Sequence, residues 1–170
     1  SYASHASYAL SGKSRKVLSK VLSKNIFLIY RKNKDYFQWR INLADLPNVN
    51  IEEIEKFKEI AGTSKDCSII MLNLNEYSTE AEFPNGDLYK DYMEILNILL
   101  AEVGGKILWQ TEASATLIGN QKIHEALGIW YPSHQAFLDL MTAPSSEKNM
   151  KLRSLAVKKA DLHKCSDYTA

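Results

Sequence analysis

The sequence contains few of the residues that define the special classes of protein. Among 170 residues there are only two cysteines, Cys67 and Cys165, with seven glycines and four prolines. The cysteines lie far apart and show no CxxC or Cys/His ligand spacing, which excludes a disulfide framework and gives no support for a zinc site. The composition also excludes collagen-like and disordered chains. A reducing, cytoplasmic environment is the expected location.

Long apolar runs and familiar catalytic motifs are also missing. No run approaches the roughly 18 apolar residues of a membrane span, and segments such as 26–30 and 69–72 have the length of strands. The chain lacks GxGxxG, the phosphate-binding P-loop pattern, GxSxG and HExxH, so nucleotide-dependent and catalytic-triad mechanisms have no support. We predict neither a metal nor a cofactor. The 45% apolar content indicates one soluble chain with a sizeable core, since about 70% of the extended surface is buried at this length.

The charges balance overall but are divided unequally along the chain. The formal net charge is +1. Residues 1–40 hold nine basic side chains and one acidic one, a charge of +8, while the remaining 130 residues carry −7. This division predicts a basic N-terminal extension that lies across an acidic body. The net charge gives no reason to expect nucleic-acid binding.

The basic extension, residues 1–49, is predicted to form a helix followed by a β-hairpin. In the helix, one face carries the aliphatic residues and the other the lysines, with Val17, Leu18, Val21 and Leu22 on the apolar side. Two aromatic-rich runs on either side of RKNKD, residues 31–35, predict the hairpin. The helix either binds an anionic membrane, nucleic acid or protein surface, or docks on the protein's own core with its lysines in water.

The body, residues 50–170, is predicted to be one α+β domain. We expect Asn50 to cap a helix with Ile51, Ile54, Phe57 and Ile60 facing inward and Gly62 at its end. The patterns then predict strand 67–74, polar loop 75–86, helix 87–103, strands 106–113 and 124–131, a helix beginning at 132–133, helix 146–159 and strand 162–165. This β-α-β-β-α-β order, after one extra helix, is the ferredoxin-like order.

Five segments together resemble an uncharacterised family, the domain of unknown function 1330. They are MLNL at 71–74, LYKDY at 88–92, VGGKILW at 103–109, YPSHQAFLDLM at 131–141, and Arg153 with Leu155-Ala156. The resemblance spans roughly residues 51–165. It implies a dimeric α+β barrel, in which two ferredoxin-like protomers pack their sheets together. The wider superfamily includes cofactor-free monooxygenases, isomerases and heme-binding relatives, so the architecture leaves the reaction open.

One position departs from that family's pattern. Where members commonly have Trp-Asp at the start of the third strand, this chain has Ile123-His124. An imidazole replaces an acid there, so His124 is a candidate general base near neutral pH. The alternative is that His124 caps the strand end or points into solvent.

Four further side chains are candidates for a ligand site. Arg153 suits a carboxylate-bearing ligand or an internal ion pair, and Asn73, within an apolar strand, needs a backbone or ligand partner. Trp109 and Tyr131 line either a small-molecule cleft or a plain core or dimer interface.

These candidates lead to two hypotheses about function. In the first, a homodimeric barrel binds a small, partly apolar organic ligand between Asn73, Trp109, His124, Tyr131 and Arg153. Any chemistry would be proton abstraction or cofactor-free oxygenation, with His124 as the base and Arg153 or Asn73 stabilising an oxyanion. In the second, the protein is a non-catalytic adaptor whose basic extension engages an anionic partner.

Overall fold

The computed structural model describes residues 48–166, so the helix and hairpin predicted for the basic extension lie outside the described residues. The elements are α1 (Ile51–Ile60), β1 (Ile69–Tyr77), a 3₁₀ turn (Thr79–Ala81), α2 (Asp87–Glu102), β2 (Lys106–Glu112), β3 (Glu125–Tyr131), α3 (His134–Asp139), α4 (Ser146–Ala156) and β4 (Val157–Cys165). This is an α+β fold, as predicted, with the expected order of helices and strands.

The four strands form one antiparallel sheet in the order β2-β3-β1-β4. The register pairs β1 with β3 from Ile69 opposite Tyr131 to Asn75 opposite Glu125. Because directly paired residues share a face of the sheet, alternate residues of each strand form two distinct surfaces. The helices cover the surface that contains Ile69, Met71 and Tyr77.

The core lies between this surface and α2, the element that the sequence pattern predicts best. Seven α2 side chains are buried at helical spacing: Tyr89, Tyr92, Met93, Ile95, Leu96, Leu99 and Leu100. The helix ends as expected, because Gly104 adopts a φ of 75° and the N–H of Gly105 donates to the carbonyl of Leu100 over 2.8 Å.

Helix α1 begins as predicted but buries less of its apolar face. The Asn50 side chain accepts a hydrogen bond from the N–H of Glu53, and Phe57 packs 4.5 Å from the ring of His134 and 5.3 Å from that of Phe137. The expectation for Ile51 was wrong, since this side chain is 49% exposed. Helix α1 meets the core through Phe57, which contacts α3.

Two strands are longer than predicted. Strand β1 continues through Tyr77 into the segment predicted as the polar loop 75–86, because its last three residues, Asn75, Glu76 and Tyr77, are paired and buried. Strand β4 begins at Val157, where helix 146–159 was expected to continue. Its lysines at 158 and 159 remain exposed on an edge strand, where charged side chains are common because they discourage pairing with other chains.

The second surface of the sheet, which we call the open face, is covered by no helix of the described part of the chain. Its residues are Ile70, Leu72, Leu74 and Glu76 from β1, Lys106, Trp109 and Thr111 from β2, Ala126, Gly128 and Trp130 from β3, and Lys159, Asp161, His163 and Cys165 from β4. Trp109, which is 47% exposed, lies across Gly128, where a Cβ would come within 2.4 Å of the indole.

Candidate functional site

Polar side chains are concentrated at one end of the sheet, where β1 ends and β3 begins. Asn75 and Tyr77 lie on the helix-covered surface with Glu125, and all three are at least 96% buried. Polar groups buried this deeply require hydrogen-bond partners. This end of the sheet is therefore a constructed polar site within an otherwise apolar core.

Glu125 lies at the centre of this site and is 2% exposed. Its two carboxyl oxygens accept hydrogen bonds from the hydroxyls of Tyr77, at 2.5 Å, and Tyr89, at 2.7 Å. Asn75 donates to the Tyr77 hydroxyl over 3.4 Å. Burial, and then the hydrogen bond to Glu125, raises the pKa of both tyrosines, so their hydroxyls remain donors throughout the physiological range.

Arg153, on α4, interacts with the hydroxyl of Tyr92. Burial raises the pKa of Tyr92, and the positive charge of Arg153 opposes part of that rise. The partner of the guanidinium is thus a neutral hydroxyl, and both roles expected for Arg153, a carboxylate ligand site or an internal ion pair, stay predictions.

His124 directly precedes β3, and hydrogen bonds hold both its backbone and its ring. Its N–H donates to the carbonyl of Asn75 over 2.8 Å, and its own carbonyl accepts from the N–H of Ala113 over 2.9 Å. The ring Nδ1 accepts from the backbone N–H of Tyr77 over 3.0 Å. Since Nδ1 uses its lone pair in this bond, the proton of the neutral ring resides on Nε2. His124 therefore presents an N–H donor rather than a free lone pair.

His124 lines an open groove of about 640 Å³ together with the aromatic rings of Tyr77 and Phe83. The three rings are nearly parallel: Phe83 is inclined by 12° to Tyr77 and by 10° to His124, with centroids 4.9 and 6.1 Å apart. Of these three side chains, Phe83 and His124 are partly exposed, whereas Tyr77 is 2% exposed.

The rim of the groove carries charges of both signs. Lys158 donates to the carboxylate of Glu76 over 2.8 Å, and Lys122 lies 3.7 Å from the same oxygen. The hydrogen bond from Lys158 lowers the pKa of Glu76. Both ammonium groups are on mostly exposed side chains, at 63% and 69%, so they are accessible to a ligand anion.

The structure does not bring the five sequence-predicted site residues together. Trp109 belongs to the open face, whereas Tyr131 is buried beneath the helices with its ring edge-on to Phe137. Tyr131 lies seven residues along β3 from His124, a separation of about 23 Å. Asn73 donates to the carbonyl of Met71 over 3.2 Å. Of the five, only His124 lines the groove, and the functional roles of all five stay predictions.

Sequence reasoning missed Glu125, Tyr77 and Tyr89, although a signal for Glu125 was present. Alternate residues of a strand share one face, and in β3 the residues that share a face with Glu125 are Leu127, Ile129 and Tyr131. The sequence therefore places a carboxylate on an apolar face. Such a residue must either be paired internally or lie at a site. Among residues 48–166, no cluster of three or more His, Cys, Asp or Glu side chains has the arrangement of a metal site, and no helix is long and apolar enough to span a membrane.

Comparisons with known proteins support the fold alone. The chain matches no protein-family profile and no curated protein. It is similar to the crystal structure of RPA0582, a protein of unknown function from Rhodopseudomonas palustris, with 24% identity and a TM-score of 0.59 over 72% of this chain and 97% of that one. The methylated RPA0582 protein gives the same identity and TM-score over 94% of its length. The resemblance to the domain of unknown function 1330 family stays a prediction.

Proposed function

We propose that this protein binds a small, partly apolar organic ligand in the groove lined by Tyr77, Phe83 and His124. The observation that carries the proposal is the fixed state of His124, whose Nδ1 is occupied by the Tyr77 amide. The ring therefore offers an oriented Nε2–H donor beside two stacked aromatic rings. The ligand would place a flat apolar portion against the partly exposed ring of Phe83, which the buried Tyr77 ring supports by stacking, and an oxygen near the imidazole.

The geometry favours a donor role for His124 over the base role expected from the sequence. A base needs a free lone pair, so His124 would have to release the Tyr77 amide before accepting a proton at Nδ1. As a donor it acts in the state in which it is held, by stabilising a carbonyl or anionic oxygen of the ligand. The cations of Lys122 and Lys158 at the rim would favour a ligand that carries negative charge.

We also propose a ferredoxin-like protomer that pairs with a second copy through the open face. The strand order β2-β3-β1-β4, with helices on one side only, is compatible with this fold. The half-exposed Trp109 and its aliphatic neighbours form an apolar patch of the kind that marks interaction sites. The resemblance to dimeric α+β barrels supports the same arrangement.

A matched pair of variants tests the groove. His124→Asn keeps an acceptor for the Tyr77 amide but removes the donor at the Nε2 position, whereas His124→Gln can restore a donor there. We would screen small carbonyl and carboxylate compounds by two-dimensional NMR of the full-length, ¹⁵N-labelled protein. Saturable shifts should cluster at Phe83, Ala113 and His124.

The variants then distinguish a specific donor from general packing. We expect His124→Asn to weaken a ligand found in this way about tenfold, the effect of one lost hydrogen bond of about 1.4 kcal/mol, and His124→Gln to weaken it less. Shifts that cluster elsewhere, or equal affinities for both variants and the unaltered protein, would refute the role of His124.

A further inference from the structure

The loop that joins β2 to β3 exposes two aliphatic side chains at its tip. We call this segment, residues 113–124, the arm. Leu117 and Ile118 at its tip are 92% and 96% exposed, and Gly119 turns the chain with a φ of 101°. Leaving two adjacent aliphatic side chains in water forgoes the favourable burial available to them, and a connection of this length is longer than most connections within compact domains.

Hydrogen bonds attach the arm to the rim of the open face. Within the arm, the Thr116 hydroxyl donates to the carbonyl of Gln121 over 3.1 Å. The Gln121 side chain donates to the carboxylate of Asp161 on β4 over 2.6 Å, and Lys122 lies 3.7 Å from Glu76 on β1. The base of the arm is thus anchored at the open face through Asp161 and Glu76, and its tip projects into solvent.

The charges of the open face fit a second copy of the same chain. Its cations, Lys106 and Lys159, equal in number its anions, Asp161 and Glu76. Lys159 and Asp161 are already paired over 3.2 Å, and the centre is apolar. A face without net charge can meet its own copy across a two-fold axis without repulsion, as a self-complementary interface requires.

The size of the sheet indicates that it needs help from other contacts. Four strands about 4.8 Å apart and about 25 Å long present an area of roughly 500 Å². A stable complex buries about 800 Å² on each partner. The arm, with its two exposed aliphatic residues, is the apolar surface next to the sheet that can supply part of the difference.

We propose that the arm is a dimerisation element, and that Leu117 and Ile118 of each protomer pack against the second copy on the open face. This inference rests on the dimer of the proposed function and adds the residues that stabilise it. The two ends of the arm, at Ala113 and at His124, line the ligand groove. Packing of the tip would therefore also restrict the motion of one groove wall.

The test compares full-length variants by sedimentation equilibrium. Leu117→Ser/Ile118→Ser removes the apolar tip without disturbing the fold, because these side chains lie almost wholly in water. The control is Ile51→Ser/Ile98→Ser, which alters two half-exposed isoleucines on helices away from the open face. We expect the arm variant to weaken the dimer at least tenfold and the control to change it less than twofold.

The outcomes distinguish a failure of the dimer from a failure of the arm. A monomeric unaltered protein at all concentrations would refute both the dimer and the arm. A stable dimer with equal constants for the arm variant and the control would refute only the arm. The arm proposal alone would also be refuted if the tip binds phosphatidylcholine vesicles, measured by co-sedimentation, while the arm variant leaves the dimer dissociation constant unchanged.

Discussion

Asp66 shows how one side chain can connect separate elements of this fold. Its carboxylate accepts hydrogen bonds from the backbone N–H of Gly62, at 2.8 Å, and of His134, at 2.7 Å, and from the His134 ring at 2.8 Å. Burial alone would raise the pKa of Asp66, but these donors outweigh it and lower the pKa from 3.8 to about 2. The charged carboxylate thus joins the end of α1 to the start of α3.

The lowered pKa predicts a dependence of stability on pH. A carboxyl group whose pKa is lower in the folded protein stabilises it above the unfolded pKa near 3.8. That contribution, about 2 kcal/mol, is lost as the pH falls from about 4 to about 2. Asp66→Asn should therefore reduce the free energy of unfolding by about 2 kcal/mol at pH 7, and the difference from the unaltered protein should narrow below pH 4.

Urea unfolding at several pH values measures this effect. Asp139→Asn is the matched control, because Asp139 is exposed and its carboxylate accepts a hydrogen bond from the nearby Gln135 side chain, four residues away on the same helix. We expect the control to change stability by less than about 0.5 kcal/mol. If Asp66→Asn lowers the free energy of unfolding by the same amount at pH 2.5 as at pH 7, the electrostatic explanation is contradicted.

Sequence reasoning at the level of single residues was limited by the distances between partners along the chain. Glu125 meets Tyr77 and Tyr89 from 48 and 36 positions away, and Asp66 meets His134 across 68. Nothing local in the sequence identifies such pairs. His124 became a candidate because it departs from the pattern of the resembled family at one position, yet its Nδ1 is occupied by a backbone amide that no pattern of side chains could reveal.

At the scale of elements, the pairing of β2 with β3 depends on a missing side chain. Gly128 lies opposite Trp109, and a Cβ at this position would come within 2.4 to 2.8 Å of three indole atoms. The register of β2 shifts between Ile107 and Trp109, as a bulge does when it redirects a side chain. Glycine thus allows the indole to lie against the backbone of β3.

Gly128→Ala should displace the Trp109 indole from β3. Since Trp109 is a half-exposed side chain that can rotate, we expect a modest loss of stability, about 1 to 2 kcal/mol, with a clear shift of the Trp109 indole N–H resonance in NMR. Ala126→Val, two residues away on the same face, is the control and should leave that resonance in place. An unchanged indole signal in Gly128→Ala would argue against the close packing.

The central helix and the two strands that follow it were predicted most accurately, since β2 and β3 also match their predicted ranges to within one residue. Helix α2 matches its predicted range to within one residue, because its apolar repeat and Gly104-Gly105 are local features. The ends of β1 and β4 were missed because their residues are polar or charged, and a polar strand end resembles a loop. Pairing with distant strands, rather than local preference, determines where these strands begin and end.

For the whole molecule, the one-sided arrangement of helices has the largest consequence. The described chain buries one surface of its sheet and leaves Trp109 and Leu108 on β2 at 47% and 44% exposure. Antiparallel sheets commonly have one solvated face, but that face is then usually polar. The apolar centre of the open face is the observation on which the proposed dimer rests.

Trp109→Glu tests the proposed dimer directly. A carboxylate at the centre of the open face would be buried without a partner in a face-to-face dimer, which is strongly unfavourable. We expect the unaltered protein to sediment as a dimer at tens of micromolar and the variant to dissociate at least a hundredfold more readily. The control is Ile98→Glu, which alters an isoleucine on α2 of similar exposure, 45%. This variant should remain dimeric. Dissociation of both variants to the same extent would point to a general loss of stability instead.

For the basic extension, only predictions from the sequence can be stated. Its +8 charge and the −7 of the remaining chain predict an intramolecular contact. An adaptor function, with this segment bound to an anionic partner, is the alternative prediction. Both concern residues 1–40, which lie outside the described residues.

The sequence by itself determined the α+β class, the order of the helices and strands, and the location of the central helix. These follow from apolar periodicity and from caps, which depend on residues within a few positions of one another. Only the tertiary structure decided that Glu125 is held by two tyrosines, that His124 is a donor, and that Trp109 and Tyr131 lie on opposite faces. These properties depend on strand register, and register depends on contacts between residues far apart in the chain.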